Sequence, residues 1–173
     1  RAPDRIPRIC HRLDRDTSGV VVLAKTPEAR RFIQRTFDMH ELEKEYLAVV
    51  KGEPSEDEGR IELALGRATE SGIRMAVRPD GAPSLTTYRV LERFGPASSV
   101  RFRIHTGRQH QIRVHANAIG HPVLLDTLYG DGVLAWPING APVITRQALH
   151  SERLALAHPI TKAPLELKAP VPA

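Results

Sequence analysis

Apolar positions along the chain fall into short runs whose period changes, and the period names the element. Val20-Val21-Val22-Leu23-Ala24 is continuous and rich in β-branched residues, which predicts a strand over Val20 to Lys25 buried on both faces. Thr26-Pro27-Glu28 then reads as a helix start, with Thr as N-cap, Pro in the first turn and an acid behind it. Ala29, Phe32, Ile33 and Phe37 follow at helical spacing, so the helix is expected to run to about His40, with Arg30, Arg31, Gln34 and Arg35 on its wet side. Lys44 to Val50 returns to strand character and stops at Gly52. Ile61, Leu63 and Leu65 alternate with polar or small neighbours, as in a half-buried strand. Ile73 to Val77 predicts a short strand before the turn at Pro79-Asp80-Gly81. Ser84 to Phe94 predicts a long one, with Tyr88, Val90 and Phe94 on one face.

Val100, Phe102 and Ile104 alternate with Arg101, Arg103 and His105, giving a strand with one core face and one basic face. A second helix is expected from about Gln109 to Ile119, ended by Gly120 and Pro122, with Ile112, Ala116 and Ile119 inward. Asp126 to Pro142 reads as a loop-rich excursion. Leu154 to Leu156 and Leu165 to Leu167 flank a turn at His158 to Pro164 and predict a closing hairpin. Many antiparallel-looking strands with two or three helices predict an α+β fold: a mixed, mostly antiparallel sheet with a few flanking helices, in one domain over residues 1–173.

Charge changes the picture more by its placement than by its sum. Lys and Arg exceed Asp and Glu by five, which agrees with a polyanionic partner. Between Glu92 and Asp126 there is no acid, while Arg93, Arg101, Arg103, Arg108 and Arg113 and four histidines stand there. Acid collects instead at Glu53, Glu56, Asp57, Glu58 and Glu62. No apolar run approaches membrane-spanning length. The single cysteine, Cys10, excludes an internal disulfide and reads as a small buried side chain in a reducing, cytoplasmic setting.

Several chemistries lack their residues. His110 and His115 are five apart, whereas a helical zinc pair needs a spacing of four with a glutamate between, so no metal is expected. Ser18-Gly19 is half of a nucleophile elbow without the first glycine. Three positions keep two readings on spacing alone. Asp14 is a turn cap or a catalyst, Tyr46 a core ring or a site ring, and Arg113 a solvated helix residue or an ion-pair partner.

Four blocks weigh on that choice. His11-Arg12-Leu13-Asp14-Arg15-Asp16-Thr17-Ser18-Gly19 resembles the signature of the RluA-type pseudouridine synthases, and its leading histidine favours that branch over the RsuA type. Glu43 to Gly52 resembles the family's tyrosine-bearing strand, Thr106 to His115 its helix motif, and Leu149-His150 with His158-Pro159 its C-terminal block. Two departures stand out: Gln109 where the family usually has Thr, and Leu125-Asp126 where it usually has Gly-Asp. The resemblance also implies a strand segment ahead of the signature, so residues 1–173 read as a catalytic domain lacking it.

The resemblance implies isomerisation of uridine in ribosomal or transfer RNA to pseudouridine, by a monomer, with no cofactor. The N1–C1′ bond breaks, the uracil turns, and C5 bonds to C1′. Asp14 becomes the essential aspartate, attacking C1′, attacking C6, or removing a ribose proton. Arg113 becomes its partner, with a planar fork suited to one carboxylate. Tyr46 becomes the ring against the uracil, which must be flipped from its stack. Arg12 becomes the side chain that fills the gap, and His11, Arg108 and Ile112 are expected to contact the substrate. Arg1, Arg5, Arg8, Arg101 and Arg103 join Arg108 as candidates for the RNA track. Two rivals remain: an RNA-binding module without catalysis, and a hydrolase built on Ser18 or Cys10.

Overall fold

The computed structural model describes residues 6–130, 137–138, 141–142 and 146–172. In chain order the first elements are β1 (Arg8–Ile9), β2 (Ser18–Gly19), β3 (Leu23–Ala24), α1 (Pro27–Asp38) and β4 (Glu43–Lys51). Next come β5 (Glu58–Glu62), β6 (Leu65–Arg67), β7 (Met75–Val77), β8 (Leu85–Arg93) and β9 (Ala97–Ile104). The remainder are α2 (Gln111–Ala118), β10 (Pro137–Ile138), β11 (Ala141–Pro142), β12 (Leu149–Ala157) and β13 (Pro164–Lys168).

Seven strands form the main sheet in the order β13-β12-β4-β9-β8-β5, with β2 added parallel to β12 and every other pairing antiparallel. The expected α+β architecture is what the chain adopts. Strand alternation gives the sheet two unlike faces. Lys44, Tyr46, Ala48 and Val50 of β4 share a face with Val100, Phe102 and Ile104 of β9. On that face Ile112 and Ala116 of α2 complete one core cluster, while Ile33 of α1 packs with Leu154 and Leu156 of β12 in a second. The other face is wet and laced with ion pairs, among them Arg103–Glu43 at 2.7 Å, Arg101–Glu152 at 3.0 Å and Arg153–Glu43 at 2.9 Å.

Helix α1 begins as its sequence dictates, with the Ala29 N–H donating to the Thr26 side chain at 3.2 Å and Pro27 opening the helix. Helix α2 starts two residues later than expected, because Gln111 holds the preceding turn out of helical geometry. Its side-chain oxygen accepts from the Arg108 N–H and the Thr106 hydroxyl, and its amide donates to Leu85 and Thr86. His110 consequently sits at φ 56°.

Two expectations need correction. Residues 20–25 are not buried on both faces: Val20 and Ala24 are covered, whereas Val21 and Leu23 are 45% and 50% exposed. Only Leu23–Ala24 is strand, paired with β1 in a two-stranded ribbon, so one side faces solvent. Phe94 does not join Tyr88 and is 50% exposed. The β8–β9 register shifts between Val90 and Glu92, and one extra residue there reverses the facing of the strand's last positions.

The acidic segment does not form a free acidic edge. Asp57 pairs with Arg93 and Glu58 with Arg89, both at 2.7 Å. No helix among the described residues is long and apolar enough to cross a membrane.

Candidate active site

The signature loop folds into a turn because the Thr17 N–H donates to the Asp14 carbonyl at 3.0 Å. It is then stitched to the start of β12. Gln147 donates to Thr17 at 3.0 Å, Ser18 and His150 share a 2.8 Å bond, and the Val20 N–H reaches Ser151. Gly19 permits the seam: it sits at φ +123°, and a Cβ there would lie 2.2 Å from the Ser151 carbonyl oxygen. Asp14 projects from this anchored turn into a cavity of about 530 Å³ walled by the loop, α1, β4 and the start of α2. That volume lies within the usual range of ligand pockets, about 300–1,000 Å³.

Opposite stands Arg113, whose Nη1 donates to Asp14 Oδ2 at 2.9 Å. The expectation that its fork grips Asp14 bidentately is corrected. The fork belongs to Asp126, with Nε–Oδ2 at 2.6 Å and Nη2–Oδ1 at 2.7 Å. The Asp126 side chain is fully buried, and its Oδ1 also accepts from the Leu128 and Tyr129 N–H groups. Burial pushes the Asp126 acid up, but the guanidinium and the two N–H groups outweigh it, so the net shift is downward. Burial likewise opposes the charge on Arg113, and its two carboxylates overcome that and raise its pKa. Tyr129 lies under the guanidinium, 5.0 Å from ring centroid to Cζ. A rigid base therefore aims one remaining N–H of Arg113 at Asp14.

Tyr46 closes the floor. Burial raises its phenol to about 12, the Ser151 hydroxyl beside it offsets part of that, and the charge of Asp14 adds to it. The hydroxyl thus keeps its proton at neutral pH. The structure brings Asp14, Tyr46 and Arg113 to one place from three distant parts of the chain.

A family model described as RNA pseudouridylate synthase matches residues 2–118. The chain belongs to the RNA pseudouridylate synthase family. It is 41% identical to ribosomal large subunit pseudouridine synthase D of Vibrio parahaemolyticus over 176 aligned residues, covering 96% of this chain and 54% of that protein. It is also 41% identical to an uncharacterized RNA pseudouridine synthase of Chloroflexus aurantiacus, covering 96% and 51%. The chain thus spans about half the length of the curated relatives it matches. Among solved structures, human RNA pseudouridylate synthase domain containing 1 superposes with TM-score 0.79 at 34% identity, over 96% of this chain and 69% of that one.

The remaining positions of the synthase signature divide by place. Arg12 is exposed on the cavity rim and has no side-chain hydrogen bond or ion pair among the described residues. His11 is a wall: its ring stacks on Phe37 at 4.8 Å, and its Nε2 accepts from the Val22 N–H at 3.0 Å. Burial lowers its pKa, so the ring is neutral at pH 7. Ile112 is 4% exposed and serves both the core and the cavity wall. Arg108 is exposed at the cavity, with Nε on the Pro83 carbonyl at 3.3 Å. Arg101 and Arg103 do not share the cavity's side of the sheet, because they point from the opposite face into their ion pairs. Arg8 is exposed on the β1 ribbon, and Arg1 and Arg5 lie outside the described residues.

Ser18 and His150 do form a pair, but His150 Nε2 is committed to the Ala169 carbonyl and Ser18 does not line the cavity. The pair is a tie between strands. No group of three metal-ligating side chains is found among the described residues.

Sequence reasoning left Asp126, Tyr129 and His110 without roles. His110 Nδ1 and the Tyr129 hydroxyl lie 2.7 Å apart, that hydroxyl accepts from the Met75 N–H, and His110 Nε2 stands 3.9 Å from Asp14. Burial lowers the His110 pKa more than Asp14 raises it. The available signal was the departure at Leu125-Asp126. Leu125 adopts φ 59°, a left-handed conformation that costs a non-glycine residue about 1–2 kcal/mol. Leu125→Gly should therefore be neutral or stabilising by up to about 1 kcal/mol by urea denaturation, once the entropy of glycine is set against the relief. A loss of about 2–5 kcal/mol, usual for truncating a packed leucine, would show that the side chain's packing outweighs the backbone strain.

Proposed function

We propose that this chain is the catalytic core of an enzyme that converts uridine in RNA to pseudouridine, acting on large-subunit ribosomal RNA as a cytoplasmic monomer. The observation that carries the reading is Asp14, on an anchored turn at a cavity, held by one N–H of an arginine whose Nε and Nη2 are locked to Asp126. A binding module has no use for that arrangement, whereas catalysis needs a carboxylate held at a fixed point.

In this reading a uridine leaves its stack and enters the cavity, and Arg12 at the rim occupies the space it vacates. Tyr46 lies against the uracil. Asp14 reaches the sugar or base and starts cleavage of the N1–C1′ bond. The uracil turns, C5 bonds to C1′, C5 loses its proton and N1 gains one. Atoms and electrons balance within the nucleotide. In this reading the Tyr46 hydroxyl, which keeps its proton at neutral pH, relays the C5 proton by passing on its own as it takes that one up. The chemistry of His11, Arg108 and Ile112 suits the cavity wall and mouth rather than the reacting atoms.

The test is tritium release from an unmodified large-subunit ribosomal RNA transcript labelled at uridine C5. The pure chain should release label, with pseudouridine appearing at discrete positions. Salt-sensitive binding without release would favour the non-catalytic module instead.

A further inference from the structure

Lys44 is absorbed by none of this. It stands on β4 two residues before Tyr46 and on the same face, is 8% exposed, and lines the same cavity. Its ammonium makes no hydrogen bond or ion pair among the described residues. The nearest compensation is the Phe37 ring, 5.6 Å from Nζ to centroid. A buried ammonium without an anion is costly, and a single ring repays only part of that cost. Burial pulls its pKa down to about 8, with no carboxylate opposing, yet it stays mostly charged at neutral pH.

The cavity thus has two poles. At one end Asp14 meets Arg113 and acts on Tyr46. At the other, Lys44 lies against Phe37 and beside Gly107, where a Cβ would come within 3.4 Å of Nζ. Positions 44 and 46 are separated by about 7 Å along the strand, the scale of a nucleotide rather than of one hydrogen bond. Resting on the isomerase reading, we propose that Lys44 is the receptor for a backbone phosphate of the flipped nucleotide. Uracil is neutral and cannot repay an ammonium's burial, whereas a phosphate can, and lysine binds phosphate as a point charge. Tyr46 and Lys44, on one strand face, would then hold the base and the phosphate of the same residue.

The test compares Lys44→Met with the unaltered chain on the labelled large-subunit transcript, at several salt concentrations. Expected is a fall in kcat/KM of about 10- to 100-fold, and a salt slope of RNA affinity shallower by about 0.7 to 1. Stability to urea should hold or rise, because a buried charge has been removed. A neutral methylphosphonate beside the mapped uridine, in a short stem–loop, should cost the unaltered chain a similar factor and cost the variant nothing more. Loss of stability with an unchanged salt slope would make Lys44 a structural residue and overturn the proposal, as would additive effects of variant and methylphosphonate. Absence of label release by the unaltered chain would instead sink the isomerase reading, and the salt slope, a binding measurement, would still decide for Lys44.

Discussion

Asp14→Asn should reduce tritium release by at least about 10³-fold while leaving RNA affinity and stability close to those of the unaltered chain. The asymmetry comes from the surroundings. The Asp14 side chain is 22% exposed and takes a single 2.9 Å bond from Arg113. An asparagine oxygen can accept that bond in the same place, and the amide can face the open cavity. Arg113 keeps its fork on Asp126, so no charge is left buried alone. What disappears is the anionic oxygen that, in the proposed reaction, starts cleavage of the N1–C1′ bond. Single-turnover release, filter binding and urea denaturation on the same preparation separate the three quantities. Turnover within about tenfold of the unaltered chain would remove Asp14 from the chemistry, since positioned acid–base groups alone contribute about 10²–10⁴.

Much of the scaffold was legible because it obeys local rules. The alternation of Val100, Phe102 and Ile104 with Arg101 and Arg103 is the observed division between core and wet face. Thr26 and Pro27 mark the start of α1 through capping, which involves neighbours in the chain. The failures share another cause. The start of α2 depends on Gln111 reaching Leu85 and Thr86 across the fold. The exposure of Phe94 depends on a register shift against β9, and that of Val21 and Leu23 on having only β1 beside them. None of these is encoded in a window around the residue.

The same division runs through the site. That Asp14 and Arg113 belong together came with the resemblance, not with spacing, since 99 residues separate them. That the fork serves Asp126 first was hidden, because an acid in a loop beside a tyrosine reads as a turn former. Lys44 was hidden by its place in the strand: a lysine near the end of a strand reads as solvated, and only the tertiary fold covers it with α1 and the turn at Gly107.

Asp126→Asn should be the mirror image of Asp14→Asn, destabilising the fold by about 3–5 kcal/mol and lowering turnover as a consequence. In the native arrangement the Asp126 carboxylate accepts four N–H groups: Nε and Nη2 of Arg113 and the backbone of Leu128 and Tyr129. The Oδ1 set can survive on the asparagine oxygen. The amide then confronts Arg113 Nε, donor against donor, in a fully buried position. Arg113 loses half of its counter-charge, and the N–H aimed at Asp14 loses the fork that fixed it. The pH dependence gives the sign. The folded-state pKa of Asp126 is depressed, so its contribution is fully present above the unfolded carboxylate range, near 3.9, and is lost as pH falls through the lower folded value. The gap in unfolding free energy between the unaltered chain and Asp126→Asn should therefore be widest at neutral pH and close in acid. Urea titrations at pH 7 and in acid well below about 3.9, past the depressed folded value, measure it. A gap that stays constant over that range would mean that the Arg113–Asp126 pair contributes no net charge stabilisation, and that Asp126 acts through packing alone.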